Sequence, residues 1–319
     1  MKPLEGRIAL VAGATRGAGR GIAMMLGEKG ATVYCTGRSV RGKPASGPKR
    51  PETIEETAEL VTSKGGRGIA VRVDHTVEAE VSELCERVKR EQGRLDVLVN
   101  DVWGGDELAE FGLPFWKLAP EKGRLMLDRG IYSHILTSRY AVPLLLERNQ
   151  GLIVEITDGD NFGYRGNVFY DLVKMSIIRL AFTMAWELRR HPAITTVAVT
   201  PGFLRSEAML EHFGVTEANW RDGTKVDPNF IASETPFFVG RAVAELAADP
   251  NVARKNGRVL SSWQLAREYG FKDVDGRQPD WGQYFTETFG RPYPVAGDAE
   301  YATWSNGPIE TVCADWPKE

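Results

Sequence analysis

Cysteine and histidine are scarce in this chain, and charge of either sign is not in excess. The 319 residues include three cysteines, at 35, 85 and 313, and four histidines, at 75, 134, 191 and 212. No Cys-x-x-Cys, His-x-x-x-His or His-Glu-x-x-His spacing gathers them. A disulfide framework therefore has no basis, and no metal is expected. Forty Lys and Arg face 43 Asp and Glu, for a net charge of −3. Neither nucleic acid nor an acidic membrane surface is an expected partner of such a balance. No apolar run approaches the roughly 18–20 residues of a membrane span. The opening Met-Lys-Pro-Leu-Glu-Gly enters a strand-like run without the apolar stretch and cleavage site of a secretory signal. A cytoplasmic location, with reduced thiols, is the expectation.

What is present is alternation. Short apolar runs at 7–11, 31–36, 68–74, 95–100, 151–156, 195–200 and 258–261 read as strands. Segments of helical spacing separate them, at 21–29, 51–63, 78–92, 126–148, 170–190 and 235–248. Apolar strands alternating with helices predict a parallel sheet covered on both faces. Right-handed crossovers make that a doubly wound α/β Rossmann fold with seven parallel strands. Residues 1–279 form one domain in this reading. Residues 280–319, rich in Gly, Pro, Trp and Tyr, are an extension packed on that domain or on a neighbouring subunit. Residues 39–50 read as an exposed basic loop, and 104–123 as a loop over the site.

The first strand runs into Ala12-Gly13-Ala14-Thr15-Arg16-Gly17-Ala18-Gly19. Glycines there let the backbone turn tightly and approach a pyrophosphate, and the following helix offers free N–H groups to the anion. In its strand–turn–helix context the segment predicts a dinucleotide site. The second strand would end in a carboxylate if the ribose 2′-OH were read. Gly37 stands there instead, followed by Arg38, and Arg16 lies inside the loop. Two guanidinium groups and no acid favour a 2′-phosphate, so NADP is the expected cofactor, with Arg41 and Lys43 as further cations.

These features, with Leu95-Asp96-Val97-Leu98-Val99-Asn100, Tyr170-Asp171-Leu172-Val173-Lys174 and Pro201-Gly202, resemble the short-chain dehydrogenase/reductase family in order and spacing. Within it, the loop before Pro51-Glu52-Thr53-Ile54 and the run Leu265-Ala266-Arg267-Glu268-Tyr269-Gly270 are similar to the branch of dehydrogenase/reductase member 1. The resemblance spans roughly residues 4–279. It implies Tyr170 as general acid/base and Lys174 as its activator and ribose anchor. One helical turn apart, the two share a face, and an ammonium near a phenol favours the phenolate. The resemblance further implies that Asp74 contacts adenine, that Asn100 begins the stretch along the adenine ribose, and that Pro201, Gly202 and Ser206 lie beside the nicotinamide. It also implies a homo-oligomer.

Two departures stand out. The family's catalytic serine falls at Asp158, or at Thr157 with a one-residue shift. A carboxylate about 4 Å from a tyrosinate would oppose it by roughly 4 kcal/mol at an effective dielectric near 20, or about three pKa units. Asp158 could point away while Thr157 supplies the hydroxyl. It could be protonated, or bind a cationic substrate group, or mark a protein that has lost carbonyl chemistry. The family's relay asparagine falls at Gly130; His134 nearby reads as a packed helix residue. Trp103, Phe115, Trp116, Phe162, Tyr164 and Phe169 are candidates for an aromatic pocket around a small-molecule substrate. The expectation is an NADP(H)-dependent oxidoreductase acting on a ketone, aldehyde or imine; the alternative is a redox-inactive NADP-binding sensor or scaffold.

Overall fold

The computed structural model describes residues 2–43, 45 and 50–304. Cys313, the end of the extension and part of the basic loop lie outside the described residues. The first strand, β1 (Ile8–Ala12), leads into α1 (Gly17–Glu28), β2 (Thr32–Gly37), α2 (Ile54–Ser63), β3 (Arg67–Arg72), α3 (Glu78–Gln92) and β4 (Val97–Asn100). Next come α4 (Pro120–Leu127), α5 (Ser133–Leu146), β5 (Gly151–Ile156), α6 (Val168–Glu187) and β6 (Ile194–Thr200). The described chain continues with α7 (Glu207–His212), α8 (Pro236–Ala248), β7 (Val259–Ser261), α9 (Ser262–Tyr269), α10 (Trp281–Phe289) and α11 (Asp298–Ala302).

The seven strands lie in the order β3-β2-β1-β4-β5-β6-β7 and pair in parallel. The all-apolar β1 shows why. Ala9 and Val11 point into one core with Ile22, Met25, Val239 and Val243 of α1 and α8. Ile8 and Leu10 point into the other, with Val81, Leu84 and Leu144 of α3 and α5. A strand apolar at every position needs cover on both faces. Fully burying one such aliphatic side chain contributes about 2 kcal/mol. Strand order reverses between β1 and β4, which opens a crevice at their carboxyl ends.

Several boundaries differ from the sequence reading. Helix α1 opens at Gly17, four residues early, so half of the glycine loop is helix. The poor helix propensity of glycine is overridden by packing there. Helix α2 starts at Ile54, because Thr53 Oγ1 accepts from Glu56 N at 3.2 Å and Pro51 stays outside the cap. Asn167 caps α6 through the amides of Phe169 and Tyr170, so that helix begins two residues early. The long helix expected over 126–148 starts at Pro120 and is widened by a π-type turn at Asp128–Tyr132.

Beyond residue 279 the described chain lies against the same sheet. Tyr301 is buried, and its hydroxyl accepts from Val259 N of the edge strand β7 at 2.8 Å. Phe162 stacks on Trp304 with centroids 4.5 Å apart. Among the described residues no helix is long and apolar enough to cross a membrane.

Candidate active site

Every strand ends at the crevice, and the turns that follow line one cleft of about 1080 Å³. Gly13 (φ +92°) turns the chain after β1, and a Cβ there would fall on the carbonyl oxygen of Asp101. That contact locks the β1 turn to the β4 turn. Gly13, Thr15, Arg16, Gly17 and Ala18 line the cleft. Gly19 lies behind them, its amide held by the Asp101 carboxylate. Helix α1 has no side-chain cap and no acid in its first turn. Its Gly17 amide instead donates to the Glu207 carboxylate at 2.8 Å, so an anionic group from α7 already sits at the helix end. The donors present therefore fit an anion such as a pyrophosphate.

Arg16 and Arg38 both line the cleft. Each has an acid at long ion-pair range, Glu52 at 3.7 Å and Asp74 at 3.8 Å. Arg41 takes a different course from the one expected, pairing outward with Glu59 at 2.7 Å. Arg50 lines the cleft and pairs with Glu211 at 2.7 Å. Asp74 lies on the cleft wall with its carboxylate held by Thr76. Asn100 does not reach the cleft. It is fully buried and donates to Ser138 at 3.0 Å and Glu155 at 2.7 Å, within a network that includes His134 bonded to Glu155 at 2.7 Å. Period-two alternation turns Asn100 into the sheet, and Asp101 and Val102 line the cleft instead.

At the far end Tyr170 Oη donates to Asp158 Oδ2 at 2.9 Å. Thr157 Oγ1 is turned away, donating to the carbonyl of Lys174 at 2.8 Å. The reading in which Asp158 points out and Thr157 serves as the hydroxyl is thereby corrected: Asp158 faces the tyrosine. Burial, then the charge and hydrogen bond of Asp158, hold the Tyr170 phenol well above its usual range. Lys174 is buried, with Nζ 4.2 Å over the Trp103 ring. Its burial lowers the ammonium's affinity for protons, against the pull of Asp158, Asp101 and Asp106. Burial likewise pushes the Asp101 carboxyl up to about 7. Trp103 also explains Gly130, where a Cβ would meet Val173 Cγ1 at 2.6 Å and the indole at 3.0 Å. The space for an asparagine is filled by that ring and Val173.

Pro201, Gly202 and Ser206 line the cleft after β6. Ser206 caps α7, and Gly202 N donates to Glu234 at 2.9 Å. Glu234 is buried beneath that loop, which pushes its carboxyl up to about 8. Of the aromatic candidates, Trp103 alone lines the cleft. Phe115, Trp116 and Tyr164 are exposed, Phe162 packs on the extension, and Phe169 packs against the cluster of Met126, Val173 and Ile177. Phe111, Phe203, Trp263, Trp281 and Tyr293 take their places. Sequence reasoning missed these, along with Asp101, Glu207 and Glu234. The Trp and Tyr content of the C-terminal extension was the available signal for Trp281 and Tyr293.

The short chain dehydrogenase family model matches residues 7–214. Dehydrogenase/reductase SDR family member 1 of Mus musculus is 39% identical over 280 residues, which covers 86% of this chain and 85% of that protein. The chain belongs to the short-chain dehydrogenase/reductase family. The human protein of the same name is 38% identical over 279 residues, with the same two coverages. A crystal structure of hydroxysteroid dehydrogenase from Escherichia coli matches with a TM-score of 0.63 at 22% identity, covering 81% of this chain and 95% of that one. That last likeness speaks for the fold. As a short-chain dehydrogenase/reductase, the chain is a member of an oxidoreductase family that binds a nicotinamide dinucleotide and acts on small molecules.

Proposed function

We propose that this protein is an NADP(H)-dependent oxidoreductase that moves hydride between the nicotinamide and a ketone, aldehyde or imine carbon. The observation that carries the proposal is the meeting of Tyr170, Lys174 and the glycine cradle in one cleft. Gly13, Thr15, Gly17 and Ala18 would hold the pyrophosphate. Arg16 and Arg38, beside the acid-free end of β2, would grip a 2′-phosphate. Asp74, Lys174, Pro201, Gly202 and Ser206 would flank the remaining groups. The bound dinucleotide supplies or accepts the hydride. Tyr170 keeps its proton in this environment, and a protonated phenol can give it to a developing alkoxide or amide anion. Lys174, raised on the Trp103 ring, sets positive charge beside that phenol.

A fluorescence titration with NADPH and NADH tests the cofactor half, with tighter NADPH binding expected. Oxidation of NADPH with a panel of carbonyl and imine compounds tests the chemistry. Tyr170→Phe is expected to bind NADPH as before and to lose carbonyl turnover. Absence of dinucleotide binding, or undiminished carbonyl turnover by the variant, would overturn the proposal. The Tyr170–Asp158 hydrogen bond favours one second reading, a redox-inactive sensor, which predicts tight NADPH binding and no oxidation by any compound. A homo-oligomer in the cytoplasm completes the proposed description.

A further inference from the structure

The substrate end of the cleft carries an excess of negative charge in an aromatic setting. Asp158 is fixed from behind. Its main-chain carbonyl accepts from Arg165 Nε at 2.6 Å, and the same guanidinium holds the carbonyls of Asn161 and Gly163. Arg165 spends its own charge on Asp171 at 3.1 Å. Among the described residues no ion pair reaches the Asp158 carboxylate, whose hydrogen-bond partner is the neutral phenol of Tyr170. Three carboxylates, Asp158, Asp106 and Asp171, face two cations, Lys174 and Arg165, and Asp101, with its carboxyl pushed up to about 7, adds part of a further negative charge beside Lys174. Trp103 and Phe111 stand edge-on to Tyr170, with centroids 5.6 and 5.4 Å away. Trp281 and Tyr293 reach the same cleft from the C-terminal segment. A carboxylate repels the oxyanion that carbonyl reduction develops. It stabilises a cation, and aromatic rings do the same.

We propose that this end of the cleft is a cation site, which takes a substrate whose positive charge lies on or beside the carbon to be reduced: an iminium ion, with Asp158 as its counter-ion and Trp103, Phe111, Trp281 and Tyr293 around it. The inference rests on the hydride-transfer reading above and names its substrate class. The chemistry balances without a proton. Hydride adds to the iminium carbon to form one C–H bond, and the π pair of C=N becomes the lone pair of a neutral amine. The reductant is a reduced nicotinamide dinucleotide, which gives up two electrons. A phenol that holds its proton is no obstacle to that step, whereas it would resist the reverse oxidation of an alcohol.

The test begins with binding. The probe is N,N-dimethyl-1,2,3,4-tetrahydroisoquinolinium, a quaternary cation that cannot be reduced, and its neutral comparator is 2-tetralone. Tryptophan fluorescence of the full chain is followed for each. The wild type is expected to prefer the cation by roughly tenfold or more. Asp158→Asn should abolish the preference and Asp158→Glu should restore part of it, with an unchanged NADPH titration showing that both variants are folded. In turnover with NADPH, N-methyl-3,4-dihydroisoquinolinium should be reduced in preference to 2-tetralone, and Asp158→Ser should reverse that order. Equal or better binding of the neutral ketone, or a cation preference that survives Asp158→Asn, would overturn the proposal. Failure to bind NADPH would sink the hydride-transfer reading instead, and the cation titration, which needs no dinucleotide, still decides the site.

Discussion

Glu207 occupies the position that the proposed cofactor reading gives to a pyrophosphate. Its carboxylate accepts from the Gly17 amide at 2.8 Å, at the uncapped start of α1. A dinucleotide must displace it or sit beside it. Two like charges about 4 Å apart repel by roughly 4 kcal/mol at an effective dielectric near 20, so displacement is the cheaper course. A hydrogen bond to a charged group contributes about 1.5–3 kcal/mol. Glu207 is half-buried, and solvent screening reduces that figure, to about 1–1.5 kcal/mol here. Removing the carboxylate should therefore raise NADPH affinity about five- to tenfold. Glu207→Ala should show the full effect. Glu207→Gln, still an acceptor but uncharged, should show about half of it in free energy. Isothermal titration of NADPH into the three proteins measures this directly. Unchanged or weaker binding by a folded Glu207→Ala protein would show that the amide is not being contested.

Arg38→Ala should weaken NADPH binding by about tenfold and leave NADH nearly untouched, since the proposed charge-assisted contact to the 2′-phosphate would be lost; parallel titrations with both dinucleotides check it. Gly130→Asn should lower the melting temperature by an amount equivalent to about 1–3 kcal/mol, because the added atoms overlap Val173 and Trp103. Glu234, with a folded pKa raised from 4.5 to about 8, binds its proton more tightly in the native state. Its contribution to stability is thus fully present below the unfolded value and is lost as pH rises through the window up to about 8. Glu234→Gln should flatten that fall, by at most about 5 kcal/mol, in melting curves taken at pH 5 and pH 8.5; parallel slopes for the two proteins would contradict it.

Much of the fold was legible because its signals are local. An apolar β1 followed by glycines and an amphipathic α1 declares itself within some twenty residues, and strand–helix alternation limits the topology to a few choices. Tyr170 and Lys174 could be paired because helical geometry puts residues four apart on one face. Thr157 and Asp158 were different. Alignment by spacing leaves both open, and the choice is made by the Lys174 carbonyl of the following helix and by the clamp of Arg165 on the loop. Asn100 was placed in the cleft by its motif, yet its strand register points it at Ser138 and Glu155.

By itself, then, the order of residues determined the doubly wound sheet, the glycine-rich turn and the shared helix face of Tyr170 and Lys174, each fixed by backbone preferences and contacts over a few residues. Only the tertiary structure decided what stands around them. Trp281 and Tyr293 come to the cleft from the Gly-, Pro-, Trp- and Tyr-rich extension, Glu207 reaches an amide 190 residues away, and Trp103 fills the space beside Gly130. Those contacts depend on where whole elements dock. Burial and long-range packing set that docking, and no local pattern encodes it.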